Sequence, residues 1–327
     1  MTAATARAYP NIALVKYWGK QDAALNLPAT GSLSLTLDVF PTTTTVELVD
    51  GPEDAFSLNG AVATGTPAAR VFAFLDLVRE RAGSTARARV ESVNAGPTGA
   101  GLASSASGFA ALAAAASAAY GLPLDTASLS RLARRGSGSA ARSILPGVSV
   151  WHAGDDASSY AEPVEAPELA MVVATVDGGP KAVSSREAMN RTAATSPYYD
   201  GWVTSTRETL DEMLAAARRG DYTRMGELTE LSALRMHASI QACDPPVRYL
   251  VPASVALFDR VAALRAEGVE AYATADAGPN VVALCRPADR EAVAAALRDS
   301  GLAGEVTVAG SGPGVEVSQA EPAGAAS

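Results

Sequence analysis

The chain has 327 residues, of which 48% are hydrophobic and 19% charged, and its formal net charge is −9. This composition is typical of a globular protein long enough for two domains. The negative charge argues against a nucleic-acid surface, which needs surplus Lys and Arg. Cys243 and Cys285 lie too far apart to build a zinc site alone, so we expect reduced structural thiols.

The first residues contain no apolar segment flanked by positive charge, and no apolar run is long enough to span a bilayer. We therefore expect a cytoplasmic protein without a membrane partner.

The N-terminal part of the chain alternates between strand and helix patterns. Val71, Phe74, Leu75 and Val78 share one face at helical spacing, which predicts an amphipathic helix over 68–81. Period-two or continuous apolar patterns predict strands over 9–15, 33–40, 42–49 and 87–93.

The last of these strands leads into a glycine-rich segment, 97–108, which an alanine-rich helix pattern follows. Glycines at 99 and 101 let backbone N–H groups face an anion, and the helix after Ser105 points its positive end at the same place. No lysine closes the loop, so it is not the Gly-x-x-x-x-Gly-Lys-Ser/Thr phosphate loop. A flexible turn before a buried helix explains these residues alone equally well.

Further along, a helix over 125–135 opens with Asp125 or Thr126 as cap, and a strand is predicted near 148–152. Pro, Glu and Ala then dominate 163–167, which predicts a domain boundary. The resulting division is an N-terminal domain over 1–165, a C-terminal α+β domain over 166–315 and a flexible tail over 316–327. The C-terminal domain is predicted to contain strands over 169–176, 270–274 and 281–285 and helices over 185–195, 200–219, 222–239, 254–267 and 288–298.

Lysine placement suggests an oxyanion site. The chain has only three lysines against twenty-three arginines, and Lys16 and Lys20 bracket Tyr-Trp-Gly. A compact ammonium can serve where a planar guanidinium cannot. Two ordinary surface lysines are the simpler interpretation of this segment alone.

Other polar segments allow two interpretations each. Ser137-Gly-Ser-Ala-Ala-Arg142 offers hydroxyls and a guanidinium for a second phosphate, or is a helix-breaking linker. Asp276 follows a strand and precedes a Gly-Pro turn, which suits either an outward-pointing catalytic acid or a turn aspartate.

Lys181, Ser184 and Ser185 form a polar helix start, for which a plain N-cap is the better explanation. His152 and His237 have no partner acid or thiol at a repeated spacing. We interpret both as structural and find no nucleophilic triad.

Together these segments resemble the diphosphomevalonate decarboxylases, within the superfamily of galactokinase, homoserine kinase, mevalonate kinase and phosphomevalonate kinase. The resemblance covers nearly the whole chain, and Val183-Ser-Ser-Arg-Glu-Ala-Met189 is similar to the bacterial branch. Lys-Tyr-Trp-Gly-Lys and Asp-Ala-Gly-Pro-Asn are its most specific motifs, whereas the glycine loop is common to all these kinases. The segments follow the family's order: Asn11-Ile-Ala-Leu-Val-Lys-Tyr-Trp-Gly-Lys20, Leu25-Asn-Leu-Pro28, Gly101-Leu-Ala-Ser-Ser105, Gly136-Ser-Gly-Ser-Ala-Ala-Arg142 and Asp276-Ala-Gly-Pro-Asn280.

The resemblance implies a two-domain α+β small-molecule-kinase fold with the active site in the cleft between the domains. It implies ATP- and Mg²⁺-dependent decarboxylation of mevalonate 5-diphosphate to isopentenyl diphosphate in the mevalonate pathway, through phosphorylation of the 3-hydroxyl. It also implies a homodimer.

By the same resemblance, Asp276 orients or deprotonates the hydroxyl, and Lys16, if it lies beside Asp276, stabilises the developing charge. Asn11 is expected at the substrate carboxylate. The expected substrate-binding residues are Asn11, Tyr17, Lys20, Arg70, Ser137, Ser139, Arg142 and Ser185. The expected ATP-binding residues are Pro97, Gly99, Ala100, Gly101, Leu102, Ala103, Ser104 and Ser105, with Ser104 or Ser105 at the γ-phosphate or Mg²⁺.

Three alternatives remain open from the sequence. One is a kinase of the same fold, such as a mevalonate 3-kinase, which stops after phosphorylation. Another is a decarboxylase of a monophosphate or a related phosphorylated 3-hydroxy acid. The third is a non-catalytic ligand sensor.

Overall fold

The computed structural model describes residues 3–96, 104–176 and 183–319. The strands in these ranges are β1 (Ala3–Ala8), β2 (Asn11–Val15), β3 (Lys20–Asp22), β4 (Leu27–Pro28), β5 (Ser32–Thr36), β6 (Thr42–Val49), β7 (Ala55–Leu58), β8 (Ala61–Val62), β9 (Arg87–Asn94), β10 (Val148–Trp151), β11 (Ala161–Pro163), β12 (Ala170–Thr175), β13 (Ala271–Thr274), β14 (Val281–Cys285), β15 (Glu305–Ala309) and β16 (Glu316–Gln319). The α-helices are α1 (Gly65–Ala82), α2 (Ser104–Ala119), α3 (Thr126–Gly136), α4 (Ser185–Thr195), α5 (Tyr199–Arg218), α6 (Tyr222–Gln241), α7 (Pro252–Ala266) and α8 (Arg290–Asp299). Short 3-10 helices span Gly138–Ile144 and Pro287–Asp289.

A six-stranded sheet, in the order β16-β1-β6-β9-β7-β8, forms the base of the N-terminal half. Its buried face shares one hydrophobic core with α1, α2 and α3. The alanines of α2 are almost all buried, and their small side chains let this helix lie close to β1 and β6. The alanine-rich pattern therefore corresponds to a packed core helix.

Strand β16 corrects one prediction. Val317 pairs with Ala6 and Glu316 with Arg7, so residues 316–319 extend the first sheet across the open edge of β1. The predicted flexible tail is therefore wrong for these residues, and 320–327 lie outside the described ranges. β1 is Ala-Ala-Thr-Ala-Arg-Ala and β16 is Glu-Val-Ser-Gln, so neither has the run or alternation of bulky apolar residues that signals a strand.

Two further sheets and a helix pair connect the halves of the molecule. The sheet β11-β10-β5-β2 shares a hydrophobic core with α5, α6 and β12. One face of the sheet β13-β14-β12-β15 borders the same core, and its other face packs against α7 and α8. Both sheets thus meet α6, and the ends of β2 and β13 lie near each other.

The predicted helix caps are confirmed. Asp125 caps α3 by accepting a hydrogen bond from the N–H of Ser128 at 2.7 Å. Ser184 caps α4 by accepting one from the N–H of Glu187 at 3.2 Å. Cys243 and Cys285 are free and buried, as expected. Within the described ranges, every helix is too short or too polar to cross a membrane.

Candidate active site

An ion pair joins segments that lie at opposite ends of the chain. Lys16 follows β2 and Asp276 follows β13, and the Nζ of Lys16 lies 2.6 Å from Oδ1 of Asp276 across 260 positions of sequence. The side chain of Lys16 is 1% exposed, whereas that of Asp276 is 33% exposed. The pair therefore has a dry cationic end and a carboxylate that solvent or a ligand can reach.

Burial sets the chemistry of the lysine. Removal from water lowers the pKa of Lys16, while the charge and hydrogen bond of Asp276 act in the opposite direction. The nearby charge of Arg142 lowers the pKa of Lys16 further. Asp276 is therefore the group that favours the ammonium form of this lysine.

Arg142 is a second buried cation, on the 3-10 helix that follows α3. Its Nε donates to Oγ of Ser34 at 2.9 Å and to Oδ1 of Asn11 at 3.2 Å, and its Nη1 donates to Oγ of Ser32 at 2.5 Å. Burial lowers the pKa of Arg142 to about 10, and the charge of Asp276 opposes the shift. Neutral partners thus hold the guanidinium in place, and among the described residues no acid forms a hydrogen bond with it.

The structure places Asn11 beside Arg142 in the protein interior. Its Nδ2 donates to the carbonyl of Ser139 at 3.0 Å and to Oγ of Ser143 at 2.7 Å. Its amide oxygen accepts from Arg142. Both ends of the Asn11 amide are therefore engaged with protein groups.

Tyr17 carries a buried hydroxyl whose oxygen has no hydrogen-bond partner within the described part of the chain. Burial raises the pKa of Tyr17, so its hydroxyl stays protonated. The ring lies edge-on to Trp151 at 4.8 Å between centroids. A Cβ on Gly138 would lie 2.8 Å from both Oη of Tyr17 and Cη2 of Trp151, so the close approach of this segment requires glycine.

Lys20, Arg70 and Arg186 form a cation cluster. Lys20 donates to Oδ1 of Asn26 at 2.6 Å, and Arg70 donates to the carbonyl of Gly136 at 3.1 Å, so both hydrogen-bond partners are neutral. Burial lowers the pKa of Lys20 to about 8, and the charges of Arg186 and Arg70 add to this shift. Burial and the charge of Arg186 likewise lower the pKa of Arg70. Such mutual repulsion is relieved when an anion binds.

Sequence reasoning missed Arg186 and Asn26 as site residues. Arg186 is exposed on the first turn of α4, and its charge also acts on Tyr17. Both residues belong to segments that carry the family resemblance, which was the available signal. Ser185, the first residue of α4, is half-buried next to Arg186.

Family models match both halves of the chain. Residues 8–161 match the diphosphomevalonate decarboxylase-like N-terminal domain, and residues 171–309 match the mevalonate 5-diphosphate decarboxylase C-terminal domain. The chain belongs to the diphosphomevalonate decarboxylase family. The family predicted from the motifs is thereby confirmed.

Individual relatives agree with this membership. A diphosphomevalonate decarboxylase of Aspergillus fumigatus is 38% identical over 90% of this chain and 80% of its own length. A phosphomevalonate decarboxylase of Haloferax volcanii is 34% identical over 96% of this chain and 97% of its own. A solved complex of the protein MDDEF with MVAPP, AMPPCP and magnesium is similar with a TM-score of 0.92, at 44% identity, covering 98% of this chain and 99% of that one. The expected kinase-type fold of the family is confirmed.

The nucleotide side of the site is described only in part. Pro97, Gly99, Ala100, Gly101, Leu102 and Ala103, together with Lys181, lie outside the described residues, as does the side chain of Ser104. The first turn of α2 is described, and there Oγ of the exposed Ser105 lies 3.3 Å from Oγ of Ser137. The positive end of α2 therefore lies beside the segment that contains Ser137 and Ser139.

The fit of Mg²⁺ can be judged from the oxygen groups at this place. Among the described residues, no three His, Cys, Asp or Glu side chains form a group able to hold a metal. Hydroxyls such as those of Ser105 and Ser137 suit a Mg²⁺ ion that takes its other ligands from phosphates and water. The residues present are compatible with a metal that arrives with a nucleotide.

Proposed function

We propose that the protein catalyses the ATP-dependent decarboxylation of mevalonate 5-diphosphate to isopentenyl diphosphate, releasing ADP, phosphate and carbon dioxide. ATP is the cosubstrate and Mg²⁺ the cofactor, as in the family. The observation that carries the proposal is the ion pair of Lys16 and Asp276, 2.6 Å apart, together with Arg142, a buried cation with neutral hydrogen-bond partners whose charge acts on the pair. The pair supplies a base, and the surrounding cations supply an anion site.

Asp276 is proposed to act on the 3-hydroxyl. Its carboxylate is partly open, and Lys16 fixes Oδ1, so the group is held for proton acceptance from a bound hydroxyl. The hydroxyl oxygen then forms a bond to the γ-phosphorus of ATP as the bond to ADP breaks. The tertiary alcohol, a poor leaving group, becomes a phosphate ester.

Loss of phosphate and carbon dioxide follows from that ester. The C3–O bond breaks with its electrons going to phosphate, and the bond to the carboxylate carbon supplies the electrons of the new double bond. Lys16 and Arg142, both buried cations, stabilise negative charge on the departing phosphate more strongly than exposed cations would. The step needs no oxidant or reductant.

Substrate binding is assigned to the cation cluster, to Arg142 and to Tyr17. The buried hydroxyl of Tyr17 is an available hydrogen-bond donor. Because the Asn11 amide is engaged with Arg142, Ser139 and Ser143, we infer that Asn11 orients the guanidinium. Further hydroxyls are available from Ser137, Ser139 and Ser185. ATP is assigned to the glycine loop and the N-terminus of α2.

The number of cations favours a diphosphate over a monophosphate. Mevalonate 5-phosphate is the competing substrate, because the Haloferax volcanii relative is a phosphomevalonate decarboxylase. Lys20 and Arg70 hydrogen-bond neutral groups, and Arg186 has no acidic partner in the described contacts. Three such cations suit the larger negative charge of a diphosphate.

The test is to incubate the protein with ATP, Mg²⁺ and either mevalonate 5-diphosphate or mevalonate 5-phosphate, and to follow ADP and carbon dioxide together. Equal amounts of both products from the diphosphate, at a higher kcat/KM than from the monophosphate, support the proposal. ADP without carbon dioxide would indicate a kinase. Neither product, with ligand binding retained, would indicate a sensor.

The assembly is proposed from the family resemblance, and the location is the one expected from the sequence. We infer a homodimer in the cytoplasm. Light scattering after size-exclusion chromatography should then give about twice the chain mass of 33.2 kDa. A mass equal to one chain would contradict the dimer without affecting the proposed reaction.

A further inference from the structure

The strand that leads to Asp276 has an unusual edge. β13 is the edge strand of its sheet, so alternate backbone groups point away from β14. Three of them are bonded by side chains: the carbonyl of Ala271 accepts from Nη1 of Arg265 at 2.7 Å, the N–H of Ala273 donates to Oε2 of Glu230 at 2.9 Å, and the carbonyl of Ala275 accepts from Nε2 of His237 at 3.3 Å. We call these contacts the edge ladder.

The spacing of the edge ladder follows from helix and strand geometry. Its three backbone groups are two residues apart, which is the period of a strand. Glu230 and His237 are seven residues apart on α6, or about two turns, so they share one helix face. Arg265 of α7 forms an ion pair with Glu230 at 3.0 Å, which ties the two helices together at the ladder.

The same helix also holds the other partner of the ion pair. The backbone N–H of Lys16 donates to Oγ of Ser232 on α6 at 3.0 Å. Helix α6 therefore bonds the backbone at Lys16 and the backbone immediately before Asp276. The separation of the two charged groups depends on this helix.

We infer that His237 is a positioning residue for the decarboxylation, because its Nε2–H fixes the carbonyl of Ala275 and thereby the point from which Asp276 reaches Lys16. This inference rests on the proposed function. In the proposed reaction, His237 contacts neither the 3-hydroxyl nor the carboxylate of the substrate. It acts through the backbone of the neighbouring residue.

The protonation state of His237 suits this role. Its side chain is 2% exposed, and burial together with the charge of Lys16 lowers its pKa to about 4, while bonds to the backbone of Ala275 and Asp276 act in the opposite direction. The imidazole is therefore neutral at pH 7, and a carbonyl partner requires the proton on Nε2. A neutral donor holds the loop without placing a second positive charge beside Lys16.

The test compares substitutions that differ in donor and reach. His237→Met removes the donor at similar volume, and His237→Gln places an amide N–H near the position of Nε2. Because Asp276 is then no longer held in position, kcat of His237→Met should fall about 10²-fold, as expected for a displacement of about 1 Å at a catalytic group. KM for both substrates should change far less, and His237→Gln should restore most of kcat.

Thr229→Val is the matched control, because Thr229 is buried on the same helix and its hydroxyl, in the contacts of the described residues, bonds the carbonyl of Met225 within α6. It should leave kcat unchanged while its melting temperature reports the cost of removing a buried hydroxyl. If His237→Met does not fold, His237→Asn against His237→Gln gives the same comparison, since both are amides and only the longer one reaches Ala275.

The outcomes separate the two proposals. The positioning role alone would be overturned if the wild-type protein is active and His237→Met has the same kcat. It would also be overturned if the Asn and Gln variants have equal kcat. A fall in kcat that His237→Gln does not relieve would also overturn it, because the effect would not depend on the donor. Absence of decarboxylation by the wild-type protein would overturn the proposed function and this inference with it.

Discussion

The ion pair and the cation cluster belong to the same candidate site but differ in whether the cation has an acidic partner. Lys16 meets its opposite charge, Asp276, within the protein. In the described contacts Lys20 and Arg70 hydrogen-bond neutral oxygens, and burial, with the charges of other cations added to it, lowers their pKa values. The first arrangement holds the proposed base in place before substrate arrives, whereas the second is relieved by an anionic ligand. Chemistry and binding are therefore assigned to different regions.

The strongest test of this division is Asp276→Asn. We expect kcat to fall about 10³-fold, because the amide cannot accept the hydroxyl proton. Dissociation constants for ATP and mevalonate 5-diphosphate, measured by calorimetry, should change little, since the cation cluster is intact. The exposed Asp259 on α7 provides a control, and Asp259→Asn should match the wild-type protein. Retention of a large share of the activity would remove Asp276 from its central role.

Lys20→Met tests the cation cluster. KM for mevalonate 5-diphosphate should rise about 10- to 100-fold, the loss expected for one hydrogen bond to a charged group, with a smaller change in kcat. Arg218→Met, at the exposed end of α5, controls for loss of a surface cation. A fall in kcat at constant KM would mean that the cluster takes part in the chemical step and would break the division.

The pH dependence of binding should show the lowered pKa of Lys20. Lys20 is charged below about pH 8 and neutral above it, so kcat/KM for mevalonate 5-diphosphate should fall as pH rises through about 8. The limit is tenfold per pH unit for a single essential group. In Lys20→Arg the guanidinium stays charged, so the fall should move to higher pH. Identical profiles for the two proteins would assign the titration to another group.

The smallest effect concerns Arg142, which has a feature of each region: its hydrogen-bond partners are neutral, yet the charge of Asp276 acts on it. Ser34→Ala removes one hydroxyl from the guanidinium and should raise KM about 2- to 10-fold, the effect of one ordinary hydrogen bond. Ser149 pairs with Ser34 across β10 and β5 and is equally buried, and its hydroxyl has no partner among the described residues. Ser149→Ala should therefore leave KM unchanged.

Much of the fold could be predicted because its signals are local. Helices α3 to α6 have apolar periodicity and polar starts that depend only on nearby residues. Strands β1 and β16 were missed because their stability comes from pairing across almost the whole chain. The same distinction applies to Ser184, whose capping contact lies three residues away and was predicted.

For the site, the motifs supplied candidate residues but not what each one contacts. Asn11 was expected at the substrate, and the structure engages its amide with Arg142 and two serines. Arg186 was marked only by the family resemblance of its segment, and His237 was interpreted as a structural residue. Their surroundings come from strands and helices far away in sequence.

The sequence by itself determined the α+β class, most of the helices and the family, because periodicity, caps and contiguous motifs are properties of short segments. Only the tertiary structure decided that Lys16 lies 2.6 Å from Asp276 and that α6 bonds the backbone beside both. These contacts depend on how whole sheets pack against one helix. A buried charge or donor takes its properties from that packing, through desolvation and the partners it finds there.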